Sequence, residues 1–206
     1  MKYKQIVFDI DGTLIFTKDA VLLSLRDTLG TLTGTVPETD TLTFSLGIPG
    51  RDALKKLQVP DLDAGMRLWD ENMEIYRYTV RIFPGIMEVL DALSRSGCRT
   101  GVVTSESRAE LAQDFGRLGL ASWFSTIICA SDTKEHKPSP APLLKYMEMT
   151  GTSSDELLYI GDSIYDSQCA RGAYVDFALA GWGCLDEPID ADYYLGSPRD
   201  LLPLLL

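Results

Sequence analysis

The sequence predicts an α/β fold, a doubly wound, Rossmann-like parallel sheet with a small α-helical cap inserted after the first strand. Short apolar runs alternate with helical patterns between residues 82 and 180, as expected of parallel strands joined by crossover helices. One long segment, residues 17–81, breaks this alternation directly after the first run. We therefore expect a core domain made of residues 1–16 and 82–206 and a helical cap domain made of residues 17–81.

The candidate strands are runs of consecutive apolar residues, which suit strands that are buried on both faces of a parallel sheet. Five runs recur along the chain: Ile6–Phe8, Thr100–Val103, Thr126–Cys129, Leu157–Ile160 and Val175–Leu179. A sixth and weaker run follows near the end of the chain, at Tyr193–Leu195. We expect these runs to form the sheet.

Helical patterns separate the later runs, and most of them end at a glycine. Glycine adopts the left-handed conformation of a helix C-terminus at little cost, so it is a stop signal. The predicted core helices are Ile86–Ser96, Arg108–Leu118, Ala141–Met149 and Ile164–Arg171.

The inserted segment has no convincing buried strand and two helical patterns. Ala20–Leu29 is apolar enough for one helix, and apolar side chains at steps of three and four predict a longer amphipathic one. These side chains are Leu62, Met66, Trp69, Met73, Tyr76 and Val80. The threonine-rich stretch Gly30–Thr43 has few strong helix formers and is left unassigned. We expect the insertion to pack over the ligand-binding edge of the sheet.

Length and charge exclude several classes of protein. The chain has 206 residues, 45% hydrophobic and 24% charged, which suits one domain with a modest insertion. Thirty acidic residues against nineteen basic ones give a net charge of −11. A surface this acidic repels phosphate backbones and anionic headgroups, so neither nucleic acid nor a membrane is an expected partner.

Signals for export are also missing from the pattern. The apolar stretch near the start is interrupted by Asp9 and Asp11, so we do not expect a secretory signal. No apolar run approaches the ~20 residues of a membrane span. The four cysteines lie far apart, at Cys98, Cys129, Cys169 and Cys184. We therefore expect a cytoplasmic protein with buried, reduced thiols. We expect a monomer or a weak homodimer, and the sequence leaves the oligomeric state open.

Two aspartates follow the first apolar run, in Asp9-Ile10-Asp11-Gly12-Thr13-Leu14. Ligands of open α/β sheets bind beyond the carboxyl ends of the strands. Two carboxylates at such a strand end are costly unless a bound cation compensates them. The alternative interpretation is a pair of aspartates that caps the following turn.

Three further polar clusters follow later strands. Val103-Thr104-Ser105-Glu106-Ser107 offers hydroxyls and free amides at a helix start, where a phosphate can bind. His136-Lys137-Pro138 supplies a cation, and Gly161-Asp162-Ser163-Ile164-Tyr165-Asp166 supplies two acids four residues apart. Those acids share one face if the helix begins at the first of them. All four clusters end parallel strands, so we expect them to converge on one edge.

With these motifs the sequence resembles the haloacid dehalogenase superfamily, in its branch of phosphoglycolate phosphatases and β-phosphoglucomutases. Its four motifs occur in the family's order: Asp9-x-Asp11-Gly12-Thr13, Thr104 after a strand, Lys137-Pro138, and Gly161-Asp162-x-x-x-Asp166. The match covers essentially the whole chain, although in the cap it rests on placement and helical character. Four ordered motifs are far more specific than a lone aspartate pair.

The resemblance implies a role for each motif residue. Asp9 is the expected nucleophile, which forms an aspartyl-phosphate, and Asp11 the general acid and base. Mg²⁺ is the expected cofactor, held by the side chains of Asp9 and Asp162 and by the backbone carbonyl of Asp11. Asp166 is expected behind these ligands, where it orients water or a neighbouring lysine.

Thr104 and Ser105 are expected to bind the transferring phosphoryl group, and Lys137 to neutralise its charge. The partner is then a small phosphorylated metabolite. Asp11 excludes the dehalogenase and phosphonate-cleaving branches, which lack the second acid of the first motif.

Three functions remain open at the level of sequence. The leading one is a Mg²⁺-dependent phosphatase that hydrolyses a small phosphomonoester. The alternative is a phosphomutase of the β-phosphoglucomutase type, although Val21 stands where those enzymes carry a histidine. The third is a non-catalytic binding protein on the same fold, which the intact set of motif residues argues against.

The cap offers one candidate substrate-binding residue. Gly47-Ile48-Pro49-Gly50-Arg51 resembles the loop that enters the substrate space in this branch, and Arg51 is suited to pair with a distal anionic group. A surface arginine at a helix start is the equally simple interpretation. His136 is interpreted as a loop residue, and Trp182 either lines the rim of the site or packs.

Overall fold

Six parallel strands form the centre of the computed structural model, which describes residues 2–184 and 188–205. In chain order, the strands are β1 (Gln5–Phe8), β2 (Ile15–Phe16), β3 (Arg81–Ile82), β4 (Arg99–Val103), β5 (Thr126–Ile128), β6 (Leu157–Gly161), β7 (Asp176–Ala180) and β8 (Tyr193–Leu195). The sheet has the order β5-β4-β1-β6-β7-β8. The predicted α/β class and the six predicted strands are confirmed.

Strand β1 lies in the middle of the sheet because all four of its residues are apolar enough, or well enough bonded, to be buried. Phe8 pairs in parallel with Val102 of β4 on one side and with Ile160 of β6 on the other. The carboxyl ends of these three strands therefore meet at one edge, where the first, second and fourth motifs follow them.

In the part of the chain that the structure describes, seven α-helices surround the sheet or lie beyond its edge. They are α1 (Lys18–Thr33), α2 (Gly50–Lys56), α3 (Leu62–Tyr76), α4 (Ile86–Ser96), α5 (Arg108–Leu118), α6 (Ala141–Thr150) and α7 (Ile164–Gly172). Apolar residues of α4 and α5 share one hydrophobic cluster with the sheet, and those of α6 and α7 share another. Helices on both faces confirm the doubly wound arrangement, and the four predicted core helices end within one residue of the prediction.

Helices α1, α2 and α3 have a hydrophobic cluster of their own, separate from the two at the sheet. Leu25 of α1 and Leu54 of α2 are fully buried in it, and the indole Nε1 of Trp69 donates to Ser24 Oγ across 2.8 Å. We infer that this helical unit is the cap expected between residues 17 and 81. The unassigned stretch Gly30–Thr43 forms the end of α1 and part of a 3₁₀ helix, Thr39–Ser45.

The predicted long helix is wrong at its C-terminal end. It stops at Tyr76, a 3₁₀ turn follows at Arg77–Thr79, and Val80 is extended. Val80 is buried in the sheet-side cluster, so its apolar character serves the core and not the cap helix. The chain then enters β3, which pairs antiparallel with β2 and brings the two ends of the inserted segment together.

Three of the four cysteines are buried free thiols, as predicted. The prediction fails for Cys184, which is only half-buried. Among the described residues, no helix is long and apolar enough to cross a membrane.

Candidate active site

The loop after β1 is wound tightly around one carbonyl oxygen. The backbone N–H groups of Thr13, Leu14 and Ile15 all donate to Ile10 O, at 2.8–3.1 Å. Gly12 has φ +76°, and a Cβ atom on it would lie 2.0 Å from Asp162 Oδ2. Only glycine therefore permits both the turn and the close approach of the Asp162 carboxylate.

Lys137 is buried beneath this loop and holds two carboxylates. Its Nζ donates to Asp9 Oδ1 at 2.8 Å and to Asp166 Oδ1 at 2.7 Å, and it lies 3.4 Å from the Tyr159 hydroxyl. Burial lowers the pKa of Lys137, but Asp166 and Asp9 outweigh it, so the pKa is raised and the ammonium stays charged. Lys137 therefore holds the Asp9 carboxylate in one orientation.

Asp166 has its hydrogen-bonding capacity filled by the protein. Its Oδ2 accepts from the backbone N–H and the hydroxyl of Ser163, and its Oδ1 lies 2.7 Å from Lys137 Nζ and 2.8 Å from the Tyr159 hydroxyl. Helix α7 begins at Ile164 with Ser163 as its N-cap, so Asp162 precedes the helix. Asp162 and Asp166 therefore do not share a helix face. They lie on either side of Ser163, the N-cap residue of α7.

Asp162 has far fewer partners. Its Oδ1 lies 3.4 Å from the Thr13 hydroxyl, and burial, with Asp166 and Asp9 nearby, raises its pKa well above the usual value. Single carboxylate oxygens of Asp9, Asp162 and Asp166 lie within 4.8 Å of one another. Because Asp166 is satisfied by other donors, the open ligands for a cation are Asp9 and Asp162, and their oxygen-only set fits Mg²⁺.

The surroundings of the two acids of the first motif raise both of their pKa values toward neutral pH. Burial raises the pKa of Asp9 to about 7, against the opposing charge of Lys137. Burial also raises the pKa of Asp11 to about 6, while a hydrogen bond from Thr17 lowers it. The Asp11 side chain is not in the metal-competent group found among the described residues. A carboxyl outside that group and with a pKa of about 6 is suited to proton transfer near neutral pH.

The second motif presents one hydroxyl to the site. Thr104 is buried, its N–H donates to Ile128 O, and its Oγ1 accepts from Glu106 N at 3.1 Å. Ser105 lines the same cavity as Asp9 and Lys137, and its Oγ donates to Gly47 O of the inserted segment at 3.0 Å. Ser105 therefore joins the sheet edge to the segment above it, and Thr104 lies behind it.

A cavity of about 80 Å³ opens above Asp9. Its floor contains Asp9, Ser105 and Lys137, and its far side comes from helices and loops of residues 17–81. The apolar part of that far side consists of Val21, Leu46, Ile48, Trp69 and Met73. The cavity lies beyond the carboxyl ends of the strands, where ligands bind in open α/β sheets.

Arg51 lies outside this cavity. Its Nη1 donates to Asp63 Oδ1 at 2.6 Å, its side chain is 51% exposed, and it lines a neighbouring cleft with His136. A contact between Arg51 and a substrate stays a prediction. The indole Nε1 of Trp182 donates to Thr13 O at 2.9 Å, which supports the loop of the first motif, and Trp182 also lines a cavity beside Asp162.

Sequence reasoning missed two polar residues of the site. Tyr159 lies in the predicted run Leu157–Ile160, whose apolar pattern gave no sign of a polar role for its hydroxyl. Glu106 follows Thr104 and Ser105, but no role was predicted for it. Two signals could have identified them. A tyrosine in a strand that is buried on both faces needs a partner for its hydroxyl, and an acid is unexpected in a predicted phosphate-binding loop.

The acids that follow β1 and β6 and the buried Lys137 thus lie together at one edge of the parallel sheet. The chain matches the family model described as haloacid dehalogenase-like hydrolase over residues 6–180, and it belongs to that family. The resemblance stated from the motifs is confirmed.

Relatives carry two kinds of name. A putative pyrophosphatase PpaX of Clostridium perfringens is 29% identical, with 98% of this chain and 97% of the relative covered. A phosphoglycolate phosphatase of Agrobacterium fabrum is 31% identical, with 97% and 91% covered. The crystal structure of a putative phosphoglycolate phosphatase from Lactobacillus plantarum has a TM-score of 0.89 and 30% identity, with 99% of this chain and all of that one covered. The protein is a phosphatase of this family.

Proposed function

We propose that this protein is a Mg²⁺-dependent phosphatase that hydrolyses a small phosphomonoester through an aspartyl-phosphate on Asp9. The observation that carries the proposal is the position of the Asp9 carboxylate, buried, held by Lys137 at 2.8 Å and facing a small cavity that Ser105 also lines. A carboxylate held in one orientation at the edge of a cavity is suited to act as a nucleophile on a bound phosphoryl group. The substrate is then a small phosphorylated metabolite.

Asp9, Asp162 and the backbone carbonyl of Asp11 would hold the Mg²⁺. When bound, the ion would neutralise charge on the phosphoryl oxygens and would keep Asp9 ionised. Asp166 keeps Lys137 in place and is not itself a ligand in this proposal.

The proposal has two chemical steps. An Asp9 oxygen attacks phosphorus, the bond from phosphorus to the ester oxygen breaks, and the Asp11 carboxyl gives its proton to that oxygen. Asp11, now ionised, takes a proton from water, whose oxygen attacks the phosphoryl group and releases phosphate from Asp9. Lys137 and Ser105 bind the phosphoryl oxygens in both steps.

The wall of the cavity supports hydrolysis over phosphomutase chemistry. Val21 lines the cavity together with Asp11. An apolar side chain there offers no proton relay at the position where the mutase branch carries a histidine. We also propose that the protein is cytoplasmic and that it is a monomer or a weak homodimer.

The test is phosphate release from a panel of phosphorylated metabolites that includes phosphoglycolate and pyrophosphate, with Mg²⁺ and with EDTA. We expect turnover only with Mg²⁺, and poor replacement by Ca²⁺, whose looser coordination misplaces the nucleophile. Asp162→Asn should abolish turnover, whereas Asp155→Asn, an exposed acid at the other end of β6, should not. Full activity in EDTA would contradict the proposal.

A further inference from the structure

The position of Asp9 sets the direction in which a leaving alcohol extends. In phosphoryl transfer, the attacking oxygen and the leaving oxygen lie on opposite sides of phosphorus. Asp9 lies on the floor of the cavity with Ser105 and Lys137, so a phosphoryl group that it attacks has its ester oxygen toward the far side. Residues 17–81 form that side, and the leaving alcohol therefore contacts the inserted segment.

Apolar side chains form much of this far side, and they are packed in place. Five of them line the cavity: Val21, Leu46, Ile48, Trp69 and Met73. The indole of Trp69 is held at one end by the hydrogen bond from its Nε1 to Ser24 Oγ. At the other end it lies against Gly50, where a Cβ atom would be 3.2 Å from Trp69 Cζ3. The leaving alcohol therefore meets a fixed apolar surface.

Ile48 is positioned by the contact between the inserted segment and the sheet edge. Ser105 Oγ donates to Gly47 O at 3.0 Å. Gly47 has φ +81°, and a Cβ atom on it would lie 3.3 Å from Ser163 Oγ, so glycine suits the place between the loops after β4 and β6. Leu46 and Ile48 flank this glycine, and both line the cavity. Ile48 is half-buried and is thus linked through Gly47 to the phosphoryl-binding loop.

The cavity offers no free positive charge to a leaving alcohol. Among the described residues, Lys137 is the one cation in its lining, and the ammonium group holds Asp9 and Asp166. Three further acids also line the cavity: Asp70, Glu106 and Glu110. An anionic end on the leaving alcohol would therefore meet carboxylates and no available cation, which disfavours it.

Cations do line the neighbouring cleft that contains Arg51. Arg51 and Lys134 belong to that cleft, which shares Ser105 with the cavity but is not lined by Asp9 or Asp11. Arg51 is also paired with an aspartate of α3. A leaving alcohol that takes its proton from Asp11 begins in the cavity, so a short one stays among the apolar side chains.

We propose that the preferred substrate is a phosphomonoester whose leaving alcohol is short, uncharged and apolar, and that Ile48 is a residue that selects it. The inference rests on the proposed phosphatase function and deepens it by naming the substrate class. An alkyl group that packs against Ile48, Trp69 and Met73 removes apolar surface from water. A carboxylate in the same place loses its hydration, and no cation replaces it.

The experiment compares two esters of similar size, isobutyl phosphate and phosphoglycolate. In both leaving groups a methylene carries a branched carbon, which bears methyl groups in the first ester and carboxylate oxygens in the second. We expect kcat/KM for isobutyl phosphate to exceed that for phosphoglycolate by about tenfold or more. If either ester is not turned over, the Ki values of both against nitrophenyl phosphate give the ratio instead.

Substitutions at Ile48 assign the preference to its residue. Ile48→Lys places a cation in the apolar surface and should lower the ratio of isobutyl phosphate to phosphoglycolate by about tenfold. Leu57→Lys is the matched control, because Leu57 is also half-buried in the inserted segment but lies outside the cavity lining, so the ratio should stay. Ile48→Ala removes apolar contact without adding charge and should lower the ratio in the same direction. Circular dichroism checks that each variant is folded.

A wild-type ratio near unity or in favour of phosphoglycolate, or a ratio unchanged in both Ile48 variants, would overturn the inference while leaving the phosphatase function intact. A preference for phosphoglycolate that Arg51→Ala removes would also overturn it, because the leaving alcohol would then lie in the neighbouring cleft. Failure to hydrolyse every ester, nitrophenyl phosphate included, would instead contradict the proposed function and the inference with it.

Discussion

Asp9 and Asp11 are two residues apart, yet their surroundings give them different chemistry. Asp9 is buried and bonded to the Lys137 ammonium, whereas Asp11 is half-buried and accepts a hydrogen bond from Thr17. A fixed carboxylate beside a cation suits attack on phosphorus. A carboxyl with a pKa of about 6 suits the gain and loss of a proton near neutral pH.

Substitution of the two acids should therefore have different effects. Asp9→Asn removes the nucleophile, so no ester should turn over. Asp11→Asn removes the proton donor, and general acid catalysis contributes about 10²–10⁴ in rate, most for a basic leaving oxygen. An alkyl phosphate should then lose nearly all activity, while nitrophenyl phosphate should still give a stoichiometric burst of nitrophenolate, as measured by stopped-flow absorbance.

The burst needs Asp11→Asn to keep the site intact, which Mg²⁺ binding by that variant would check. For Asp9→Asn, which loses a proposed ligand of the ion, circular dichroism would check that the fold is kept. If Asp11→Asn lost both esters equally and gave no burst, the division of roles between the two acids would be wrong.

At the scale of elements, the helices of the inserted segment carry the far wall of the cavity on a hydrophobic cluster that is their own. Damage to that cluster should move the wall and leave the sheet edge unaffected. Leu25 is fully buried there, whereas Leu32, on the same helix, is 39% exposed.

Leu25→Ala should lower the free energy of unfolding by about 2–5 kcal/mol, because it opens a cavity in a packed cluster. Leu32→Ala is the matched control and should stay within about 0.5 kcal/mol of the wild type. Urea denaturation followed by circular dichroism measures both. We also expect Leu25→Ala to raise KM for the best substrate more than for nitrophenyl phosphate. Equal losses of stability in the two variants would show that the cluster is not packed as described.

The regular elements were predictable because their signals are local. Buried parallel strands are apolar at consecutive positions, as in Leu157–Ile160, and three of the four core helices end just before a left-handed glycine. Strands β2 and β3 were not predictable, since two residues have no period. Val80 continued the helical spacing of α3 but is buried against the sheet, a contact that no local pattern reports.

The candidate site was predictable where it rests on motifs and unpredictable where it rests on long-range contacts. Asp9, Asp162 and Lys137 follow strands of known order, so their convergence could be expected. The hydrogen bond from Ser105 to Gly47 depends on how the inserted segment and the sheet meet, and the ion pair of Arg51 with Asp63 depends on how two helices of that segment pack.

For the whole molecule, the buried acids make stability depend on pH and on metal. Asp9 and Asp11 have pKa values raised to about 7 and about 6 from ordinary values of 3.8. The folded state therefore retains protons that the unfolded state has lost, and stability falls as the pH rises through this window. Acids with lowered pKa values, such as Asp27 and Asp132, change their protonation only below about pH 4. They therefore do not change the stability in the pH window of Asp9 and Asp11.

Without metal, the melting temperature should therefore fall between about pH 5 and about pH 8. Mg²⁺ binds the ionised carboxylates, so it should raise the melting temperature more at the upper pH than at the lower one. Differential scanning fluorimetry with Mg²⁺ or EDTA measures this, with Asp162→Asn as the variant that should lose the Mg²⁺ effect. A metal-free melting temperature that rises across the window would contradict the assignment of these pKa shifts.

The most direct test of the account is to find the phosphoryl group on the protein. Asp11→Asn, mixed with nitrophenyl phosphate and Mg²⁺ and then quenched in acid, should hold one phosphoryl group, because the base for the second step is gone. Peptide mass spectrometry should locate that group on Asp9. A phosphoryl group on any other residue, or phosphate release in a single turnover with no phosphorylated protein, would contradict the proposed aspartyl-phosphate on Asp9.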